Sequence, residues 1–501
     1  MSTRSARVSN SDVKAGDMSG TTTAEAENAD ESELARMGSK QELKRDLGLM
    51  QNFGVSFSII SILTGIPSLF LFGLNTGGPA VITWGWIVAS CFTMFIGLAM
   101  AEVCSSHPTS GGPYFWAAML SKPEHAPFAS WITGWFNLLG QVAVTTGISF
   151  ACANFISTVA TLNTDFAPTT RTTLGVYAAV LVAQGLINTF GVNILKHLNN
   201  ISIWWHGAGT LAIVIAILAA APSHQSARFV FQKFVDNTGV SGDGWSQIAS
   251  PAYVVVIGML TSQYSLIGFD ASAHMTEETR NAATSASLGI IMAIGVSAVL
   301  GWFFILGLLF SIQDLDATIA SDTGQPVAQI FLDTVGTKGA IVLMVIVIGA
   351  MFFCGTFSVT SNSRMMYAFA RDGGYPGHRF FAQESQIFLR VLYRSSFTRG
   401  PFHLGRFSYP VAIIAVLWIL FISIAFILPQ EYPVNSQTLN YAIVAVGIIV
   451  TYSLGFWLIS ARKWFKGPVR QIRAEGKGVD VMNPVDVEKA AQVKVENVEE
   501  A

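Results

Sequence analysis

Charged side chains are scarce in this sequence. They make up 12% of its 501 residues, whereas ordinary soluble proteins contain about 25%. Hydrophobic residues make up 51%, and the mean hydropathy is +0.49. So few charges over this length exclude a soluble domain with one large core, and they predict an all-α polytopic membrane protein.

Other features are missing as well. The four cysteines fall in or beside apolar runs without metal-ligand spacing, so we expect buried thiols, no disulfide and no metal site. The net charge of −2 gives no reason to expect nucleic acid as a partner. The chain has no zinc-ligand pair and no nucleophile–base constellation, so we predict neither an enzyme nor a cofactor.

The two ends of the chain are polar. Residues 1–46 contain no apolar core of a signal peptide, and we expect them to form a disordered tail. Residues 466–501 are predicted to form a second tail. The membrane domain would then comprise residues 47–465.

Apolar runs of about 20 residues, long enough to span a bilayer, occur ten times. The predicted spans 1 to 10 cover residues 50–74, 80–101, 127–159, 173–191, 200–221, 250–274, 285–311, 339–370, 409–429 and 438–461.

Positive charges concentrate in every second connection. Arginine and lysine residues precede span 1, follow spans 2, 4, 6 and 8, and follow span 10. The positive-inside rule therefore predicts that both termini are cytoplasmic. An even span number fits, whether ten or twelve, and the plasma membrane and an internal membrane remain alternatives.

Two predicted spans contain helix-breaking residues. Span 1 has Thr64-Gly65-Ile66-Pro67 near its middle, and span 6 has Gly268 next to Asp270. Proline removes a helix hydrogen bond, and broken helices persist in membranes only where they line a protein or water-filled cavity. Two breaks five spans apart indicate a transporter built from inverted repeats, with substrate between the half-helices. Simple kinks with packing roles are the alternative.

Asp270 is an acid inside a membrane span, where carboxylates are usually functional. Desolvation favours its neutral form, so it could take up a proton together with the substrate. The alternatives are a gate paired with a basic residue and a helix-end acid facing water. His274 is interpreted as a satisfied helix-end histidine, and Glu277 and Glu278 as residues of the cytoplasmic surface. His206 in span 5 receives no role.

Several stretches resemble a known family. They include "NFGVSFSIISILTGI", "EVCSSHPTSGGPY", "ASWITGWFN", "SQYSLIGFDASAHMTEET" and "TSNSRMMYAFARDGG". These are similar to the amino acid–polyamine–organocation (APC) superfamily, in the branch of fungal GABA and choline permeases and plant bidirectional amino-acid permeases. The resemblance covers about residues 45–465 and implies a LeuT-type inverted-repeat fold of five plus five spans, with two further spans at the C-terminal end.

The resemblance also implies the site. Backbone N–H groups of Thr64, Gly65 and Ile66 would meet the substrate carboxylate. The break in span 6 would hold the amine end and the gate, through the residues Tyr264, Ile267, Gly268 and Phe269. Asp270 falls where relatives carry an acid tied to gating. Thr-Gly-Ile-Pro replaces the Gly-Ser-Gly of some relatives in span 1, which leaves the contacts and the substrate open.

One interval departs from the family pattern. Relatives have two more spans between the equivalents of Phe381 and Ile387, where this chain reads only "AQESQ". We predict that the second repeat is incomplete near residues 381–390, by roughly 45–50 residues, the length of two spans and a turn. The alternative is a complete five-plus-five protein of ten spans.

The sequence thus predicts a secondary transporter that works by alternating access. Its substrate would be an amino acid or a related amine, GABA-like or choline-like, and protons would be the coupling ion. The alternatives are a membrane sensor that binds amino acids without moving them and an inactive truncated isoform. The bilayer is the other predicted partner, and the oligomeric state is open.

Overall fold

The computed structural model describes residues 30–32, 34, 43–122, 124–162, 164, 166–240, 242–372, 399–465 and 467–468. The regular structure of these residues is helical, and the β-type pairing among them is limited to isolated bridges. The all-α polytopic class is therefore confirmed. The predicted join near residues 381–390 and most of both tails lie outside the described residues.

Within the described ranges, nine helices are long and apolar enough to cross a membrane. They are Leu49–Asn75, Gly78–Ser106, Ala126–Thr161, Thr170–Phe190, Ile194–Ala220, Ala282–Ser311, Pro326–Arg371, Gly405–Ile427 and Ala442–Trp464. They correspond to predicted spans 1–5 and 7–10. Span 6 is absent from this set because it is divided into pieces that are each too short.

Span 1 is interrupted, but earlier than predicted. Helix Leu49–Ile60 ends at Ser61, which adopts a left-handed conformation (φ 35°, ψ 79°), and helix Ile62–Asn75 begins directly after it. Pro67 lies inside the second helix. The predicted break at Thr64–Pro67 therefore lies three residues further along the chain than the observed break at Ser61.

Span 6 is broken where predicted. Helices Pro251–Gly258 and Leu260–Ser265 form its first half, and Ala271–His274 with the 3-10 turn Thr276–Glu278 forms its second half. Gly268 lies between the halves with φ of +86°. Glycine adopts this conformation without the steric penalty that a Cβ atom would bring.

Span 8 is preceded by a bend. Helix Pro326–Arg371 has non-helical dihedral angles at Gly336 (φ 70°, ψ 175°), so the membrane-crossing part follows Gly336, close to the predicted start at residue 339. Short helices in the connections are Pro113–Leu120, Ala227–Gln232, Trp245–Ile248 and Leu315–Ile319.

Small residues bring spans 2 and 7 close together. A Cβ atom added to Gly301 would lie 2.1 Å from the ring of Trp86, and one added to Gly97 would lie 2.3 Å from Ile294 Cδ1. The indole nitrogen of Trp86 also donates to the carbonyl of Ala298 across this contact (2.8 Å). Close backbone approach through small residues is a common way for membrane helices to associate.

The cysteines are all free thiols, as predicted. Cys104, Cys152 and Cys354 are buried, whereas Cys91 is exposed on span 2. The prediction of buried thiols is therefore wrong for Cys91, because that position of span 2 faces away from the helix bundle.

The connections gather on two opposite faces. On one, which we call the N-terminal face, the Leu47 N–H donates to the Glu278 carbonyl (3.0 Å) and the Phe402 N–H donates to Ser105 Oγ (2.8 Å). On the other, the opposite face, the Gly77 N–H donates to the Val235 carbonyl (2.8 Å). The connections that the sequence analysis found rich in positive charge meet at the N-terminal face.

Part of the predicted N-terminal tail packs on the N-terminal face. Arg45 is buried and donates to the carbonyls of Thr276 and Thr279. The Asp30 carboxylate accepts from the backbone N–H groups of Asn281 (2.7 Å) and Ala282 (3.1 Å) at the start of span 7. A carboxylate at a helix N-terminus is stabilised by the helix dipole, so the contact of Asp30 with the start of span 7 is favourable.

Candidate functional site

The two helix breaks are in direct contact. A Cβ atom added to Gly65 would lie 2.6 Å from Ser265 Cα, and one added to Gly268 would lie 2.3 Å from Ile59 Cγ2. The start of half-helix Ile62–Asn75 and the end of half-helix Leu260–Ser265 therefore face the same small region. The first brings backbone N–H groups and the positive end of a dipole, and the second brings carbonyls and the negative end.

Polar side chains form hydrogen bonds between spans 1 and 6, between the breaks and the N-terminal face. Ser56 Oγ donates to the Phe269 carbonyl (2.9 Å) and lies 2.7 Å from Ser272 Oγ. The amide of Asn52 donates to the Ser272 carbonyl (3.0 Å) and to Thr279 Oγ1 (2.9 Å). These bonds satisfy polar groups that the broken helices would otherwise leave unpaired away from water.

His206 of span 5 reaches the break in span 1. Its Nδ1 lies 2.8 Å from the Ser202 carbonyl, and its Nε2 lies 2.8 Å from Ser61 Oγ. Because a carbonyl only accepts, Nδ1 carries the proton and the neutral ring accepts from Ser61 through Nε2. Ser61 Oγ also lies 2.6 Å from Thr64 Oγ1. His206, to which the sequence assigned no role, therefore stabilises the left-handed residue at the break.

Asp270 is 2% exposed, which disagrees with the alternative of a helix-end acid facing water. The amide of Gln141 in span 3 donates to its Oδ2 (2.9 Å), and His274 Nε2 lies 3.4 Å from the same oxygen. Span 3 is joined in turn to span 8, because the amide of Asn362 donates to the Gln141 carbonyl (3.0 Å) and to Thr145 Oγ1 (2.7 Å).

The other predicted site residues surround the same region. Thr64, Gly65 and Ile66 are buried in the first turns of half-helix Ile62–Asn75. Tyr264, Ile267 and Gly268 remain partly accessible, and Phe269 is buried. The structure thus brings the two predicted sets together, with the span 6 set more open than the span 1 set.

Glu277 is completely buried, so its predicted place on the surface is wrong. Its two carboxylate oxygens accept from Nη1 and Nη2 of Arg371 (both 3.1 Å), and Oε1 also accepts from the Ser110 N–H (3.1 Å). Glu278 is partly exposed and pairs with Arg364. Arg371 lies 94 residues away in the sequence, which is why only the folded chain reveals this pair.

Tyr114 adds a second contact next to this pair. Its hydroxyl donates to Asp372 Oδ2 (3.0 Å). Complete burial and the neighbouring Asp372 carboxylate raise the pKa of Tyr114 well above its usual range, so the hydroxyl keeps its proton and remains a donor. The loop before span 3 is therefore fastened to the ends of spans 6 and 8 at the N-terminal face.

Comparison with known proteins agrees with this architecture. The amino acid permease family model matches residues 47–392. The "Amino-acid permease BAT1" of Arabidopsis thaliana is 39% identical, in an alignment that covers 88% of this chain and 96% of the relative. Its rice homologue is 41% identical, with 88% and 95% covered. The "GABA-specific permease" of Saccharomyces cerevisiae is 29% identical, with 90% and 88% covered.

The family match covers more than half of the chain, and the plant relatives align over nearly their whole length. The chain therefore belongs to the amino acid permease family of the APC superfamily, a family of transporters rather than enzymes.

Proposed function

We propose that this permease moves an amino acid or a related amine across the membrane by alternating access, in symport with protons. The observation that carries the proposal is the meeting of the two breaks, in which Gly65 packs directly on Ser265. One half-helix start and one half-helix end at the same place offer complementary charge to a molecule with both a carboxylate and an ammonium group.

The carboxylate would bind at the start of half-helix Ile62–Asn75, where the positive end of the helix dipole favours an anion. The N–H groups of Thr64 and Gly65 donate to the Ser61 carbonyl (2.7 and 3.0 Å), so the substrate would compete with that carbonyl for them. The ammonium group would face the carbonyls at the end of half-helix Leu260–Ser265. Tyr264, Ile267 and Phe269 would form the gate above it, in keeping with the partial exposure of the first two.

A GABA-like substrate fits this arrangement better than a choline-like one. Choline has no carboxylate, so it would place no anion at the positive end of half-helix Ile62–Asn75. The name of the yeast relative, "GABA-specific permease", is in line with this preference.

We propose that the N-terminal face is cytoplasmic. The connections rich in lysine and arginine meet there, as the positive-inside rule requires. Residues 1–46 and 466–501 would then be cytoplasmic tails of a membrane domain formed by residues 47–465.

The sequence predicts that the second repeat is incomplete near residues 381–390, and this prediction supports a second candidate function. The alignment with the Arabidopsis relative has 501 positions, and 88% of this 501-residue chain is about 441 residues, so about 60 positions have no residue from this chain. Two missing spans and a turn would require roughly 45–50 of these positions in one stretch. Without those spans the chain would bind amino acids as a sensor without moving them. Sequencing of the transcript across the codons for Arg379–Arg394 distinguishes a true join from a lost segment.

The test of the proposal measures binding and flux together. We expect the purified full chain in liposomes to bind radiolabelled GABA or another zwitterionic amino acid, with no competition from choline, and to accumulate it when the outside is acidic. Binding without accumulation would instead identify a sensor. Competition by choline equal to that by GABA would contradict the carboxylate site.

Asp270→Asn is expected to abolish the acceleration of uptake by an inward proton gradient, because asparagine keeps the size of the side chain but cannot release a proton. Uptake would be compared at equal substrate with and without the gradient. Asp322→Asn, in an exposed loop, is the matched control and is expected to behave as the unmodified chain. Gradient-dependent uptake that survives Asp270→Asn would disprove the coupling role.

A further inference from the structure

His274 has a buried ring nitrogen without a hydrogen bond. Nε2 is buried, makes no hydrogen bond with the part of the chain that the structure describes, and lies 3.4 Å from Asp270 Oδ2. The two side chains are one helical turn apart and are 0% and 3% exposed. A buried polar atom without a hydrogen bond is unfavourable by about 1–3 kcal/mol, so this contact needs an explanation.

The contact of the other ring nitrogen, Nδ1, shows which nitrogen of the neutral His274 ring carries the proton. Nδ1 of His274 lies 3.0 Å from the Ser110 carbonyl, which can only accept, so Nδ1 is protonated. A neutral imidazole carries one N–H, and Nε2 is then a bare acceptor. With Asp270 ionised, two acceptors would face each other. A single added proton, on Nε2 or on Oδ2, turns the repulsive contact into a hydrogen bond.

We propose that Asp270 and His274 share one transported proton, so that His274 is the second member of the coupling site. This inference rests on the proton-coupled transport proposed above. The proton would enter from the opposite face with the substrate, bind between Nε2 and Oδ2, and leave to the N-terminal face as that face opens. No other reactant is needed, because the pair only gains and loses this proton.

The surrounding ionisable groups are already paired. Glu277 binds Arg371 of span 8, Glu278 binds Arg364 of the same span, and Tyr114 donates to Asp372. Half-helix Leu49–Ile60 and span 7 (Ala282–Ser311) pack against the His274 turn and contain no ionisable side chain. Span 3 contributes the neutral amide of Gln141. The Asp270–His274 contact is therefore the place where one more proton improves the local interactions.

The same histidine contacts the loop that closes the N-terminal face. Gly112, in the turn that also contains Ser110, has φ of +51°, and a Cβ atom there would lie 3.0 Å from His274 Cε1. Protonation of the ring makes its bond to the Ser110 carbonyl charge-assisted and therefore stronger. The proton thus holds the loop against span 6, and its departure weakens that attachment when the face must open.

The experiment combines histidine NMR with GABA binding on the full chain in liposomes. With ¹⁵N-labelled histidine, the signals lost in His274→Gln identify the His274 ring. We expect Nδ1 to stay protonated throughout the range of about pH 5 to 8 in which histidines titrate, while Nε2 gains a proton at the acidic end. Asp270→Asn is expected to move this transition. GABA binding is expected to lose its pH dependence in His274→Gln.

The control is His224→Gln, which changes an exposed histidine on the opposite face and is expected to keep the pH profile of binding. A His274 ring with a bare Nδ1, or a transition that Asp270→Asn leaves in place, would overturn the proposal. So would pH-dependent binding that persists in His274→Gln. Because the NMR titration needs neither binding nor flux, its result separates failure of the shared-proton pair from failure of the transport function.

Discussion

Gly65→Ala is expected to weaken GABA binding more than tenfold and to impair uptake, whereas Gly85→Ala is expected to leave both unchanged. The added methyl group at Gly65 would lie 2.6 Å from the Cα atom of Ser265 and would force the two breaks apart. Its obstacle is backbone rather than the end of a flexible side chain, so local rotation cannot relieve the clash. Overpacking of this kind destabilises by about 1–3 kcal/mol and occasionally more.

Gly85 is the matched control because it also faces span 6. A Cβ atom there would lie 3.5 Å from Met259 Cγ and 3.6 Å from Ser262 Oγ, which is ordinary van der Waals contact. Loss of about 2 kcal/mol of binding energy corresponds to more than a tenfold weaker affinity. Equal binding of radiolabelled GABA by the two variants, at equal amounts of folded protein, would show that the contact between the breaks does not form the site.

Removal of the Glu277 charge is the second large effect that we expect. Glu277→Gln leaves the guanidinium of Arg371, whose side chain is 5% exposed, without its bidentate partner. Breaking a buried ion pair in this way destabilises by about 3–5 kcal/mol. The melting temperature of the purified protein in detergent, followed by tryptophan fluorescence, is therefore expected to fall clearly.

Glu278→Gln is the control for this variant, since it changes the adjacent residue in the same manner. Glu278 and Arg364 have side chains that are 18% and 20% exposed. Their pair lies closer to water, where ion pairs contribute about 0–1 kcal/mol. A similar fall in melting temperature for both variants would contradict the structural importance assigned to Glu277.

The sequence alone was informative where a property depends on local composition. The membrane class follows from the scarcity of charge, and nine long apolar helices with one broken span agree with it. Gly268 could be recognised because glycine beside polar residues interrupts an apolar run, and only glycine adopts its φ of +86° without strain.

The position of the break in span 1 could not be predicted from local sequence. Pro67 suggested a break at the proline, but proline is accommodated within half-helix Ile62–Asn75. The break lies at Ser61, whose hydroxyl is held by His206 from span 5. A left-handed serine is unfavourable by itself, so a contact from a distant helix decided its position.

Sequence by itself thus determined the membrane class, the break in span 6 and the presence of an acid beside it. These features depend on hydrophobicity and backbone preference, which are set by the residues of each short segment. Tertiary structure alone decided the exact break in span 1, the burial of Glu277 against Arg371, and the contact of Asp270 with Gln141 and His274. Charges and hydrogen-bonding groups are satisfied by whichever distant partner folding brings near, and that partner is not visible in local sequence.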